Sequence, residues 1–161
     1  MSRYSMRQLI DSGSWFRLEC KSVTSSSNIL FRVRFKSFRP VEIDEIDNPE
    51  NISKFNIREG QLWLMSFSAV NNGKEGFMPW QVQRSFRIVD GDECIFENAS
   101  DTYLCCSSKF ARTSGVYRFS GVGGHLLPKM VTEGAALFFL PYEDSPQFSL
   151  EPNVGTTMEE L

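Results

Sequence analysis

The chain has 161 residues, of which 41% are hydrophobic and 23% are charged, and its net charge is -3. This length is enough for one domain with a sizeable core, and the composition is ordinary for a soluble globular protein. The acidic balance argues against a dedicated nucleic-acid binder, which is usually basic on at least one face. Fourteen phenylalanines favour packed sheets, because flat rings fill the space between two pleated faces.

Residues 1–13 predict a short helix. Ser2 is a candidate cap, Met6 and Leu9 belong to an apolar face, and Gly13 can end the helix. The segment lacks the continuous apolar stretch of a signal peptide. As the chain stands it suggests a cytoplasmic protein, and a signal peptide already removed would imply an extracytoplasmic one.

Strict alternation of apolar and polar residues begins at Trp15 and predicts a β-hairpin. In "SWFRLECKSV" the residues Phe16, Leu18 and Cys20 share one face. In "NILFRVRFKSF" the pattern repeats, and the turn-rich "TSSSN" separates the two segments. Period-2 alternation on both sides of a turn is typical of paired antiparallel strands.

The segment 39–60 breaks this rhythm with acids, prolines and asparagines, and it predicts a long connection. Next, "QLWLMSFSAV" carries apolar residues on both faces, which favours a central strand. Asn71, Asn72 and Gly73 then end that strand, because these residue types tolerate turn conformations.

The second half of the chain predicts further short strands. "WQVQRSFRIV" alternates and leads through the tight turn "DGDE" into "CIFE". "TYLCCS", "GVYRFSGV", "AALFFLPY" and "QFSLEP" follow at the spacing typical of sandwiches. We therefore predict an all-β, immunoglobulin-like antiparallel sandwich of about seven to nine strands in residues 14–151, with a helical extension at 1–13 and a flexible tail at 152–161.

The densest apolar run, 135–141, is too short to span a membrane, which takes about 20 apolar residues in a helix. Both faces of this run are apolar, and Pro141 interrupts strand pairing at its end. The run therefore predicts a strand in the middle of the sandwich, and no membrane span is expected.

Two aromatic residues are candidate ligand contacts. Trp80 follows the loop "GKEGFMP", and Phe77 lies within that loop. Together they can form a platform for a sugar or a peptide, although tryptophans are equally common in sandwich cores. Trp63 lies in the most hydrophobic strand, and the pattern assigns it to the core.

A stripe of cations on one strand face is a candidate anion patch. Arg32, Arg34 and Lys36 alternate with apolar residues, so that they share a face. The alternative is a solvated outer face whose cations pair with acids elsewhere in the chain.

No motif for catalysis or for metal binding stands out. The acids of "DGDE" lack the spaced series of a calcium loop, and His125 lacks a partner motif. The cysteines at 20, 94, 105 and 106 do not match zinc spacing and are compatible with buried free thiols or with disulfides. Asn51 and Asn98 begin glycosylation sequons. We expect no cofactor and no enzymatic activity.

The order of elements also carries short motifs of one family. Gly60 leads into an apolar strand that ends at Asn71, and Asp90-Gly91 forms a strand–turn–strand motif. Pro128 opens a closing signature in which a glycine precedes "ALFFLP" and a last short strand, "FSL", follows.

On these motifs, residues 14–151 resemble the telokin-like, immunoglobulin-like domains of bacterial lipoproteins and surface proteins. The resemblance implies an immunoglobulin-like sandwich and no catalytic residues. The sequence thus predicts a non-enzymatic interaction domain that binds a protein partner through sheet edges or loops. A module that binds carbohydrate or a small ligand through exposed aromatics is the alternative, and the oligomeric state stays open.

Overall fold

A computed structural model describes six stretches of the chain: 3–21, 27–42, 60–77, 80–97, 126–143 and 146–161. The side chains at positions 80, 83 and 132 lie outside this description. In chain order the elements are β1 (Tyr4–Ser5), α1 (Met6–Ser12), β2 (Trp15–Lys21), β3 (Asn28–Val41), β4 (Gly60–Asn71), α2 (Trp80–Gln83), β5 (Phe86–Val89), β6 (Ile95–Phe96), β7 (Val131–Pro141), β8 (Ser149–Pro152) and β9 (Thr156–Glu160).

The described strands form two antiparallel sheets, which confirms the predicted all-β sandwich. One sheet has the order β1-β8-β5-β6, and the other has the order β7-β4-β3-β2-β9. Every strand pairing in both sheets is antiparallel. The β2–β3 hairpin and the tight turn between β5 and β6 lie where the alternation predicted them.

Phenylalanine rings join the two sheets. Phe35 and Phe67 extend inward from the five-stranded sheet, and both contact Phe86 of the four-stranded sheet, at centroid distances of 5.3 and 6.1 Å. All three rings are at most 1% exposed. Burial of this much ring area is the dominant favourable contribution to folding.

A β-bulge at Lys36 resets the alternation of β3. The register with β4 shifts between Phe35 and Ser37, so that Phe38 returns to the inward face. The bulge lets β3 continue to Val41, three residues into the segment predicted as a connection. A strict period of two cannot reveal this, because one inserted residue moves every later side chain to the other face.

The predicted N-terminal helix is confirmed as α1, and it is part of the core. Met6 and Leu9 are buried. Ser5 caps the helix by accepting a hydrogen bond from the Gln8 amide at 3.4 Å, and Gly13 ends it with a φ of 62°. Glycine takes this left-handed conformation without the steric cost that a Cβ imposes.

Two local predictions are wrong. The segment 80–89 was predicted as one strand, but residues 80–83 form α2 and only Phe86–Val89 is extended. The predicted flexible tail 152–161 contains β9, which pairs with β2. Met158 of β9 is buried. The polar sequence of β9 suits an outer strand that buries a single side chain, and polarity alone therefore misled the prediction.

In the described part of the chain β7 pairs only with β4 and stands at the end of the sheet order. Its residues 135–138 are nevertheless completely buried, as expected for a strand enclosed within the sandwich. Gly60 starts β4 directly against β7. A Cβ at this position would lie 2.7 Å from the Leu140 carbonyl oxygen and 2.8 Å from the Phe139 ring, so only glycine fits there.

Several predictions fall outside the described residues. They concern the two strands within 98–125, His125, the sequons at Asn51 and Asn98, and the cysteines at 105 and 106. Among the helices that the structure describes, none has the length and apolar character needed to cross a membrane.

Candidate functional site

A groove of about 610 Å³ opens between α1, the C-terminal end of β3 and the N-terminal end of β4. Phe38 and Trp63 contribute to its floor from the five-stranded sheet, and Phe148 contributes from the segment that precedes β8. Met6 and Ile10 of α1 form one wall. The groove thus lies at one end of the space between the sheets, where the two layers are no longer closed against each other.

The floor of the groove is a cluster of three aromatic rings. Phe38 stacks on Trp63 at a centroid distance of 4.9 Å and an interplanar angle of 26°. Phe148 meets both rings edge-on, at 6.0 Å from Phe38 and 5.3 Å from Trp63. Phe38 and Trp63 are only partly buried. Rings fixed by such contacts lose little further conformational freedom when a ligand covers them.

The rim of the groove is polar. Arg7 and Asp11 lie one turn apart on α1, with 3.9 Å between the Arg7 Nε and an Asp11 carboxylate oxygen. Their side chains are 91% and 73% exposed. Gln147 lines the opposite side. Because an exposed ion pair of this length contributes little to stability, both groups are available to a ligand.

An ionic cluster holds the N-terminal arm that carries α1. The Glu151 carboxylate, 5% exposed, accepts hydrogen bonds from the Arg87 Nε at 2.7 Å and from the Arg3 Nε at 3.3 Å. Arg3 also pairs with Glu93 at 2.7 Å. Hydrogen bonds to Glu93 and Glu151 raise the pKa of Arg3 above its already high value, so Arg3 stays charged. The wall of the groove is therefore anchored to the four-stranded sheet.

Of the two predicted contact residues, Phe77 is placed in the core. It is 7% exposed, and its ring lies 5.9 Å from that of Phe31. It also lines a smaller cavity of about 410 Å³ at the opposite end of β3 and β4. Trp80 begins α2, but its side chain is outside the described part. Trp63, which the pattern assigned to the core alone, is the tryptophan that lines the larger groove.

Asn71 fixes the loop beside the smaller cavity. Its side-chain amide donates to the carbonyl oxygens of Glu75 and Leu126, both at 2.8 Å, and its oxygen accepts from the Gly73 amide at 2.8 Å. Every polar atom of this buried side chain is thus used in hydrogen bonds to the loop or to Leu126. This cavity offers a ligand no free buried polar group from Asn71.

The predicted cation stripe is divided on the outer face of the five-stranded sheet. Lys36 pairs with Glu133 of β7 at 3.1 Å. Arg32 and Arg34 instead lie against Trp15, with guanidinium carbons 5.8 and 5.1 Å from its ring centroid. Ser68 of β4 donates a hydrogen bond to the Glu133 carboxylate at 2.9 Å. The three predicted residues therefore share a face but belong to two separate clusters.

Two free thiols are the remaining reactive groups among the described residues. Within the six described stretches no three His, Cys, Asp or Glu side chains converge on a point that could hold a metal ion. Cys20 is a buried free thiol and Cys94 an exposed one. Burial raises the pKa of Cys20, and the negative charge of Asp90 raises that of Cys94. Neither is therefore the activated thiolate that nucleophilic catalysis uses.

Comparison with known proteins gives no match to a family model, to a curated protein or to a solved structure. The telokin-like resemblance and the immunoglobulin-like assignment thus stay predictions. Two features bear on function, namely the aromatic groove and the charges on the outer face of the five-stranded sheet.

Proposed function

We propose that this chain is a non-enzymatic interaction domain, and that its aromatic groove receives an apolar side chain of a partner protein. The observation that carries the proposal is the groove itself, with a floor of half-buried Phe38 and Trp63. Its volume of about 610 Å³ lies within the range of ligand sites in proteins.

The arrangement of the groove favours a polypeptide ligand. An apolar floor surrounded by polar groups has the layout of protein interfaces, where a buried aromatic anchor contributes most of the affinity. Arg7, Asp11 and Gln147 supply donors and acceptors at the rim, within reach of a peptide backbone. The anchored wall and stacked floor mean that little has to be ordered when the partner binds.

Carbohydrate is the second candidate, and one observation favours it. Planar rings beside a carboxylate and an amide, here Asp11 and Gln147, are the groups that sugars contact. However, Phe38 already covers one face of Trp63, and Phe148 lies against the edge of the cluster. Since a sugar ring stacks on an open aromatic face, this packing favours insertion of a side chain over stacking of a sugar.

The test compares two sets of probes on the same protein. Peptides carrying a central Trp, Phe or Leu and a set of soluble oligosaccharides are titrated while chemical shifts of the tryptophan indole groups are recorded. We expect a peptide with an aromatic centre to shift the Trp63 signal and to lose affinity in Trp63→Ala. Ile95→Ala is the matched control, because Ile95 is exposed, apolar and not part of the groove lining.

Two results decide against the peptide. Binding by an oligosaccharide alone, lost in Trp63→Ala, would make carbohydrate the ligand. Peptide binding that survives Trp63→Ala while the fold is intact would place the interaction elsewhere, at a sheet edge or a loop.

A further inference from the structure

The outer face of the five-stranded sheet carries two arginines on one tryptophan. Trp15 of β2 lies directly opposite Arg34 of β3, and Arg17 lies opposite Arg32. The guanidinium carbons of Arg32 and Arg34 lie within 6 Å of the Trp15 ring centroid, at 5.8 and 5.1 Å. Cation–π contacts of this kind hold a long side chain in place without using its hydrogen-bond donors.

Two of the other cations on this face are neutralised by carboxylates. Lys36 pairs with Glu133, and Arg17 pairs with Glu159. Among the described residues neither Arg32 nor Arg34 has a carboxylate partner or a hydrogen bond. The Arg32 Nε is buried and has no acceptor at all. Uncompensated positive charge therefore remains at these two guanidinium groups, and Lys21 of β2 lies exposed on the same face.

We propose that Arg32 and Arg34, held side by side by Trp15, bind the carboxylates of an acidic segment of a partner protein. A guanidinium group presents paired donors whose spacing matches the two oxygens of a carboxylate, and bonds between charged partners are the strong ones. Because Trp15 restricts both side chains beforehand, less conformational entropy is lost on binding. This site is separate from the aromatic groove, whose floor lies on the inner face of the same sheet.

The charges around the pair favour a polypeptide over a polyanionic surface. Glu19 of β2 and Glu159 of β9 lie on the same face as the two arginines, on one side of them. Glu133 of β7 lies on the other side. An extended polyanion such as a lipid surface or a nucleic acid would meet these carboxylates together with the two arginines. A peptide in which basic residues flank the acidic ones complements this pattern of charges.

The experiment uses tetraglutamate and tetralysine peptides, together with vesicles of phosphatidylcholine and phosphatidylserine, each added to the intact chain at low salt. We expect tetraglutamate to bind, to shift the Trp15 indole signal, and to weaken as salt is added. The double variant Arg32→Gln/Arg34→Gln should lose affinity by about tenfold or more. Lys36→Gln is the matched control and should retain most of the binding, since Lys36 is already paired with Glu133.

Three results would overturn the proposal. One is no binding of tetraglutamate to the native chain, and another is equal affinity in the double variant with an unchanged unfolding midpoint. The third is binding to phosphatidylserine vesicles that exceeds binding to tetraglutamate, which would make the site a contact for lipid headgroups. None of these results bears on the aromatic groove, which is tested by Trp63→Ala and by peptides with an aromatic centre.

Discussion

The space between the two sheets has a closed middle and an open end, and aromatic rings fill both. In the middle, Phe35, Phe67 and Phe86 are at most 1% exposed. At the end, Phe38 and Trp63 make contacts of similar length but are only partly buried. Aromatic side chains therefore have different roles in the two regions. Fully enclosed rings hold the sheets together, whereas partly exposed rings offer contact area to a ligand.

The difference arises from strand length and from the bulge at Lys36. β5 of the four-stranded sheet ends at Val89, whereas β3 and β4 of the other sheet continue to Val41 and back to Gly60. The longer strands extend past the shorter ones, and α1 covers only part of the inner face of these projecting ends. The bulge decides that Phe38 and not Ser37 faces this space.

Phe67→Ala tests the closed middle and should have the largest effect. Phe67 is completely buried and contacts Phe86 across the two sheets. Removing a buried phenyl ring leaves a cavity and costs about 3–5 kcal/mol of unfolding free energy. Urea unfolding measures the loss, with exposed Ile95→Ala as the control that should change little. A loss in Phe67→Ala no larger than in that control would mean that these rings do not join the sheets.

Glu151→Gln tests the anchor of the open end and should have the next largest effect. Glu151 is 5% exposed and bonded to both Arg87 and Arg3, so its replacement removes the buried carboxylate that the two guanidinium groups share. We expect a loss of about 2–3 kcal/mol and faster hydrogen exchange in α1. Glu93→Gln removes an exposed partner of Arg3, at 68% exposure, and should cost less than about 1 kcal/mol. Equal losses in both variants would contradict the role given to burial.

Trp63→Ala tests the open end itself and should affect stability less than binding. Trp63 keeps part of its surface exposed, so its truncation forfeits only part of the burial that a core tryptophan provides. We expect a loss of about 1–2 kcal/mol in urea unfolding, together with loss of the aromatic peptide. A stability loss as large as that of Phe67→Ala would show that the two regions do not differ, and that the groove is simply core.

The sequence predicted the closed middle well, and it failed at the open end for a physical reason. Inward positions such as Phe31 and Phe35 follow from period-2 alternation, because every second side chain of a strand must enter the core. Whether Trp63 is enclosed depends on where strands from distant parts of the chain end, which local periodicity does not record. Its apolar neighbours in the sequence led to the prediction of a core residue.

The candidate anion patch shows the same limit of local periodicity. Alternation correctly placed Arg32 and Arg34 on one face, but the neutralisation of Lys36 depends on Glu133, which is 97 residues away. The tail prediction failed because β9 is polar, and only its pairing with β2 buries Met158. In each case the missing information is the identity of the neighbouring strand.

Thiol chemistry gives the finest comparison, because Cys20 is a buried thiol of the core and Cys94 is an exposed one. Burial raises the pKa of Cys20, a member of the core cluster, and its hydrogen bond with Ser85 opposes this only in part. The negative charge of Asp90, followed by slight burial and Asp92, raises the pKa of the exposed Cys94. A raised pKa means less thiolate at neutral pH, so both groups should react with iodoacetamide more slowly than a free thiol.

The two rates should then separate as the pH rises. Alkylation of Cys94 should become faster once the pH approaches the raised pKa of this thiol. In Asp92→Asn this increase in rate should occur at lower pH, while Asp90 keeps its hydrogen bonds to the turn amides. Cys20 should react only when the sheets part, so Phe67→Ala should speed its alkylation strongly and Trp63→Ala only slightly. Mass spectrometry of the alkylated peptides measures each site. Because Cys20 reports opening of the closed middle, equal acceleration by both variants would mean that the two regions open together as one unit.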